Sequence, residues 1–249
     1  MPNLLSNGKS NAKLSKEGEA FESVILYLTP SDGITERLGK KANVCPWATD
    51  GCRKACLYHA GRGKQNSVIE GRAWKTMLFF QDRPQFMDRL RNELSNLIKR
   101  ADSKGLQAVA RLDGTSDLGL AERIAPHMRD VLFYDYTASK ARVLKWLESR
   151  ARGESENYHL TFSRKSSAQW DAECKDVLRA GGNVSVVFTP DVFEMVMADG
   201  FYQGWPVVDG TAHDWRFKDE PGHVVALSAK GSNKSISDGL SDGFIVDVM

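Results

Sequence analysis

The chain has 249 residues, of which 41% are hydrophobic and 27% are charged, and its formal net charge is +2. These values predict an ordinary globular protein, large enough for one large domain or two small ones. No apolar run approaches the roughly 18 residues that a membrane span requires, so we expect no membrane partner. The first twenty residues lack the apolar core of a secretory signal, which predicts a cytoplasmic protein with a flexible tail over 1–20.

The small net charge is unevenly distributed along the chain. Between positions 34 and 100 there are fourteen Lys and Arg residues against six Asp and Glu residues. This excess favours an anionic neighbour, such as a thiolate-ligated cluster, a phosphate-containing ligand or nucleic acid. A solvated helix face over 82–100, where both signs alternate, would account for it equally well.

Strands and helices alternate after the tail. The predicted strands, in chain order, are Ser23–Leu28, Gln107–Leu112, Val131–Tyr136, Tyr158–Phe162, Asn183–Thr189, Pro206–Asp209 and His223–Leu227. The predicted helices are Ser67–Phe80, Pro84–Ala101, Leu120–Met128, Lys140–Ala151, Ala168–Leu178 and Asp191–Ala198. Apolar strands separated by helices indicate a buried parallel sheet. We expect one α/β domain over 21–249, a small or incomplete parallel βα barrel, with an open doubly wound sheet as the alternative. The Gly/Ser-rich stretch 231–243 is predicted to be loosely held.

Three cysteines, Cys45, Cys52 and Cys56, lie within twelve residues with the spacing C-x6-C-x3-C. In a reducing compartment, such a thiol cluster is more typical of a metal site than of a disulfide. Three thiolates fit three corners of a 4Fe-4S cluster, which we favour, and together with His59 they also fit a Cys3His zinc site. The remaining cysteine, Cys174, belongs to a predicted amphipathic helix and is interpreted as a small buried hydrophobe.

Polar residues follow the carboxyl ends of the predicted strands, where parallel barrels place their sites. Carboxylates, cations and hydroxyls at one edge predict a site for a small polar or anionic ligand, although any one of them could be a structural cap or ion pair. The candidate catalytic residues are Asp113, Asp117, Tyr136 and His213. The candidate ligand-binding residues are Arg111, Ser116, Ser163, Thr189, Asp209, Asp214, Arg216 and Lys230.

Several motifs together resemble the phage gene-product-eighty-eight family. They are the cysteine segment with the Gly-Arg-Gly that follows it at 61–63, and the segments 111–117, 209–217 and 229–231. The resemblance covers most of the chain after the first twenty residues and implies a bacteriophage protein made in the bacterial cytoplasm. It implies little about activity, because the family is poorly characterised.

A weaker likeness is to radical S-adenosylmethionine enzymes. These enzymes place three cysteines after the first strand of a βα barrel, around a 4Fe-4S cluster with one open iron. Their usual spacing is C-x3-C-x2-C, whereas this chain has C-x6-C-x3-C and lacks a Gly-Gly-Glu-like segment after the second strand. The likeness therefore supports a cluster and a barrel more than it supports S-adenosylmethionine as a cofactor.

The sequence leads to two hypotheses about function. The first is a phage-encoded iron-sulfur protein, leaning towards a metalloenzyme, that acts on a small polar or anionic ligand. The second is a regulatory protein in which zinc or a cluster only crosslinks the cysteine loop. In that case the positively charged segment, with Trp47, Tyr58 and Trp74, would bind nucleic acid or a host protein. Neither a Walker-type phosphate loop nor a nucleophile elbow is present.

Overall fold

The computed structural model of the protein describes residues 2–8, 20–56, 58, 61–166 and 170–248. The chain divides into two compact units, the first formed by Met1–Pro46 and Arg62–Asp135, the second by Trp47–Gly61 and Tyr136–Met249. The division falls inside a strand, and it separates Cys45 from Cys52 and Cys56.

The described residues form an α/β protein with ten strands, most of them parallel. The strands are β1 (Leu5–Asn7), β2 (Phe21–Leu26), β3 (Gln107–Arg111), β4 (Val131–Thr137), β5 (Tyr158–Ser163), β6 (Val184–Phe188), β7 (Phe201–Tyr202), β8 (Trp205–Asp209), β9 (Val224–Ser228) and β10 (Ile245–Val246). The helices are α1 (Thr35–Leu38), α2 (Asp50–Lys54), α3 (Asn66–Gln81), α4 (Arg83–Asp102), α5 (Leu120–Ile124), α6 (Lys140–Ala151), α7 (Lys175–Arg179), α8 (Pro190–Asp199) and α9 (Asn233–Ser241).

In the first unit, β2 and β3 are parallel, and β3 is parallel to β4. The short strand β1 pairs antiparallel with β2. Proline separates α3 from α4 as the sequence predicted, and Asp82 caps α4 by accepting a hydrogen bond from the Gln85 amide at 3.0 Å. Apolar residues of α4 at helical spacing, Leu90, Leu94 and Leu97, are fully buried.

In the second unit, the strand order is β5-β6-β9-β8-β7. The first four of these strands are parallel, β10 adds to β6 in parallel, and β7 pairs antiparallel with β8. Among the described strands, β1 and β7 each have one neighbour, whereas every strand of a closed barrel has two. The predicted α/β class and parallel sheet are therefore confirmed, but a closed barrel or a radical-enzyme barrel is not.

Parts of the two segments that the sequence predicted to be loose form ordered elements. Leu5–Asn7, inside the predicted tail, form β1, and the neighbouring Leu4 is fully buried. The Gly/Ser-rich stretch contains α9, whose N-cap Ser232 accepts a hydrogen bond from the Ser235 amide at 3.2 Å. Apolar side chains of α9 pack on Ala55, Ala229 and Ile245. Burial of a few apolar side chains thus stabilised segments whose composition alone indicated disorder.

Candidate functional site

In the first unit, Cys45 lies in the connection that follows β2, and it contacts the loop that follows β3. Its sulfur accepts a hydrogen bond from the Ser31 amide at 3.3 Å, and its thiol donates to the Thr115 carbonyl oxygen at 3.6 Å. The Cys45 amide donates to Oδ1 of Asn43 at 2.7 Å. The thiol is therefore held between two strand-end loops of one parallel sheet, the usual position for ligand sites in α/β proteins.

Ser31 adopts an unusual backbone conformation to make this contact. Its φ angle is +53°, in the left-handed region that side chains other than glycine seldom occupy. The Ser31 carbonyl oxygen accepts a hydrogen bond from the Val44 amide at 3.0 Å, and the Val44 carbonyl accepts one from the Asp117 amide at 2.8 Å. Residue 31 is buried, and its hydroxyl has no hydrogen-bond partner among the described residues. Nothing in the sequence signals this residue, because serine is common in ordinary turns.

Asp113, predicted to be catalytic, organises the loop after β3. One carboxylate oxygen accepts from the Ser116 hydroxyl at 2.6 Å and from the Leu118 amide at 3.0 Å. The other oxygen accepts from the Gly119 amide at 2.8 Å. The Asp113 amide donates in turn to Asp135 at 2.7 Å. The hydroxyl of Ser116, predicted to bind a ligand, thus makes a hydrogen bond within the same loop.

In the second unit, α2 carries Cys52, and Cys56 follows its C-terminal end. Thr49 caps the helix by accepting a hydrogen bond from the Cys52 amide at 3.3 Å, and its hydroxyl donates to the Lys165 carbonyl at 3.0 Å. The Gly51 amide donates to Oδ2 of Asp242 at 3.0 Å. Lys165 is the second residue after β5, so its hydrogen bond with Thr49 holds this helix at the carboxyl end of the parallel strands of its unit.

Arg164 and Lys165, which follow β5, bind backbone carbonyl groups of neighbouring segments. The buried Arg164 guanidinium donates to the Gly243 and Phe244 carbonyl oxygens at 2.8 and 3.3 Å, and burial lowers its pKa from the usual value. The Lys165 ammonium donates to the Ala138 carbonyl at 3.2 Å. The sequence named only the preceding Ser163 as a ligand residue. No feature of the sequence indicated that a buried guanidinium binds these carbonyl groups, because they lie 79 and 80 residues away.

The other candidates of the second unit do not form one group. Three of them lie at strand ends: Tyr136 in β4, Ser163 at the end of β5 and Thr189 after β6. Asp209 ends β8 and accepts from the Thr211 amide and hydroxyl, both at 2.6 Å, and Lys230 is exposed after β9. The remaining three, His213, Asp214 and Arg216, belong to the connection from β8 to β9.

That connection leads away from the carboxyl ends. Since β8 and β9 are parallel neighbours, residues 210–223 run from the carboxyl end of β8 back to the amino end of β9. Arg216 is 3% exposed, lies 3.1 Å from Asp219 and packs in a turn against β5. The sequence placed these residues at the strand end because it cannot show where a loop runs after its first few residues.

One family comparison decides the identity. The family described as Gene product 88 matches residues 3–246. The chain belongs to the Gene product 88 family. This match confirms the resemblance that the motifs predicted and gives no support to the weaker radical S-adenosylmethionine likeness. No curated protein and no solved structure matches the chain.

The metal site of this Gene product 88 protein stays a prediction. Within the described ranges, no three His, Cys, Asp or Glu side chains are gathered so that they could hold a metal ion. His59, the proposed fourth zinc ligand, lies outside the described residues. Burial raises the pKa of the Cys174 thiol to about 12, so it stays protonated and is a poor metal ligand. In the part of the chain that the structure describes, no helix is long and apolar enough to cross a membrane.

Proposed function

We propose that this chain is a phage iron-sulfur protein in which Cys45, Cys52 and Cys56 hold a 4Fe-4S cluster, with one iron left for a small polar or anionic ligand. The three ligands are those that the close spacing of the thiols in the sequence predicts. It is supported by the position of each cysteine-bearing segment, which in its own unit lies at the carboxyl ends of parallel strands.

The single observation that carries the proposal is the Ser31 amide directed at the Cys45 sulfur. Backbone N–H groups that donate to ligand sulfurs are one of the means by which proteins tune iron-sulfur clusters. A non-glycine residue in the left-handed region costs on the order of 1–3 kcal/mol and is concentrated at functional sites. The chain tolerates this cost at a residue whose amide contacts one of the three predicted ligands.

The second segment also fits thiolate ligation. Cys52 and Cys56 are neither buried nor fully exposed, so a cofactor could reach them. Arg53 and Lys54 lie between them in the sequence and add positive charge, which would offset the negative charge of a thiolate-ligated cluster. When bound, the cluster would supply electron transfer or a Lewis-acidic iron.

Two cations could recognise the anionic part of a ligand. Arg111 ends β3 in the first unit and is half-buried, and Lys230 follows β9 in the second unit and is exposed. A guanidinium at the end of a buried strand is suited to a carboxylate or phosphate group. S-adenosylmethionine would be one such ligand through its carboxylate, although no family match points to it.

Metal analysis of protein purified without oxygen tests the proposal. We expect a brown protein with about four irons and a matching amount of sulfide per chain. Serine at position 45, 52 or 56 should abolish iron retention, whereas Cys174→Ala, the matched control, should keep it. A colourless protein with one zinc and no sulfide would refute the cluster and support the zinc-crosslinked alternative.

The exposure of Trp47 supports the second candidate function, the binding of nucleic acid. Trp47 is 46% exposed, although tryptophan is usually well covered, and it belongs to the same unit as Arg53 and Lys54. An exposed aromatic ring and cations in one short segment are typical of proteins that bind single-stranded nucleic acid. Filter binding of an oligonucleotide tests this function: it should weaken with added salt and be lost in the Arg53→Glu, Lys54→Glu double variant.

A further inference from the structure

A cavity of about 390 Å³ lies in the second unit beside the first half of β5. Its volume is within the range of small-molecule sites. The side chains that matter here are Trp146 and Arg150 of α6, His159 of β5, and Arg216, Phe217 and Asp219 of the β8–β9 connection. Since His159 is the second residue of β5 and α2 is held just after its last residue, this cavity is separate from the cysteine segment of the same unit.

One side of the cavity is aromatic. The His159 ring centroid lies 6.3 Å from that of Trp146 and 5.9 Å from that of Phe217. The Arg150 guanidinium lies 5.5 Å from the centre of the Trp146 ring and 3.2 Å from Nδ1 of His159. Burial lowers the pKa of His159 to about 4, with the charge of Arg150 as the smaller cause, so the ring is neutral at pH 7. Three neutral rings offer flat surfaces on which a planar molecule can stack.

The lining also contains a buried polar pair that is incompletely hydrogen-bonded. The side chains of Arg216 and Asp219 are 0% and 4% exposed, and Nη1 of Arg216 lies 3.1 Å from Oδ2 of Asp219. These two atoms form an ion pair without hydrogen-bond geometry, and Nε of Arg216 makes no hydrogen bond among the described residues. Buried polar atoms are nearly always hydrogen-bonded, so the unused hydrogen-bonding capacity of this pair points to a further partner.

We infer that this cavity binds a planar nitrogen heterocycle of the nucleobase class, stacked on the aromatic side and hydrogen-bonded to Arg216 and Asp219. A guanidinium donor beside a carboxylate acceptor is complementary to a ring edge that presents an acceptor beside a donor. Nucleobases carry such edges, and each has a flat face that stacks on aromatic rings. An apolar ring would leave the remaining hydrogen-bonding capacity of the buried ion pair unused and be rejected for that reason.

Calorimetry of the full-length chain with guanosine, adenosine, cytidine and uridine tests the inference, with ribose 5-phosphate and indole as comparison probes. We expect at least one nucleoside to bind and neither comparison probe to do so. Phe217→Ala removes one aromatic side and should weaken nucleoside binding roughly tenfold. Phe201→Ala, at an exposed position of β7 in the same unit, is the matched control and should leave binding unchanged.

Further variants separate this inference from the proposed function. Asp219→Asn exchanges an acceptor for a donor and should change the order of preference among the nucleosides. Cys52→Ser should leave nucleoside binding intact, because the cavity and the helix α2 that carries Cys52 lie at opposite ends of β5. The inference is overturned if no nucleoside binds up to its solubility limit, if ribose 5-phosphate or indole binds as well as the nucleosides, or if the two phenylalanine variants behave alike while circular dichroism shows both folded.

Discussion

Removal of the Asp113 side chain should destabilise the loop after β3. The carboxylate accepts three hydrogen bonds, from the Ser116 hydroxyl and from the Leu118 and Gly119 amides, at 2.6 to 3.0 Å. Asp113 is only 2% exposed, so water cannot replace these contacts after the side chain is removed. The Leu118 and Gly119 amides would then lose this acceptor in a partly buried loop.

The hydrogen bonds set the expected magnitudes. A hydrogen bond to a charged group contributes about 1.5–3 kcal/mol, and a stranded buried donor adds a desolvation cost. Hydrogen bonds that share one carboxylate are not additive, so we expect Asp113→Ala to lower the free energy of unfolding by about 3–5 kcal/mol, less than their sum. Asp113→Asn keeps one acceptor oxygen and should cost about 1.5–3 kcal/mol, and Ser116→Ala, which removes one bond, about 1.5 kcal/mol.

Urea denaturation followed by tryptophan fluorescence measures these differences directly. The order of destabilisation should be Asp113→Ala, then Asp113→Asn, then Ser116→Ala, with unchanged denaturant slopes. A loss below about 1 kcal/mol for Asp113→Ala would refute the structural role. In that event, loss of ligand binding in a stable Asp113→Asn protein would restore the catalytic role that the sequence predicted for this residue.

Two further predictions concern stability and metal content. In Gly51→Ala the new Cβ would lie 2.5 Å from the Cβ of Asp242, so this variant should melt at a lower temperature and retain less iron. Gly71 lies in α3 with open space around it, so Gly71→Ala should instead stabilise the protein by about 0.5–1 kcal/mol. Equal melting temperatures for the two variants would contradict this packing. A hydrogen bond from Lys104 holds the pKa of Glu22 below its ordinary value of 4.5. The contribution of Glu22 to folding stability is therefore fully present above pH 4.5 and is lost as the pH falls through the lower pKa of the folded protein. Urea titrations from pH 7 to pH 3 should therefore show a shallower loss of stability for Glu22→Gln, and identical profiles would exclude the ion pair as the cause.

Local patterns in the sequence determined most of the elements of this protein. The helix predicted over Lys140–Ala151 has those bounds in the structure, and the proline that ends one helix and opens the next separates α3 from α4. These features follow from side-chain periodicity and from the missing amide of proline, which act within a few residues. The same reasoning identified the cysteine segment and, through its motifs, the family that the chain belongs to.

Only the tertiary structure decided where side chains far apart in the sequence meet. The amide of Ser31 contacts Cys45 because a left-handed residue turns it there, and the Arg164 guanidinium meets carbonyl groups about eighty residues later. Arg216 lies beside β5 rather than at a strand end because two parallel strands force their connection to run back along the sheet. Burial of apolar surface selects such pairings among distant segments, and this selection leaves no periodic trace in the sequence around any one residue.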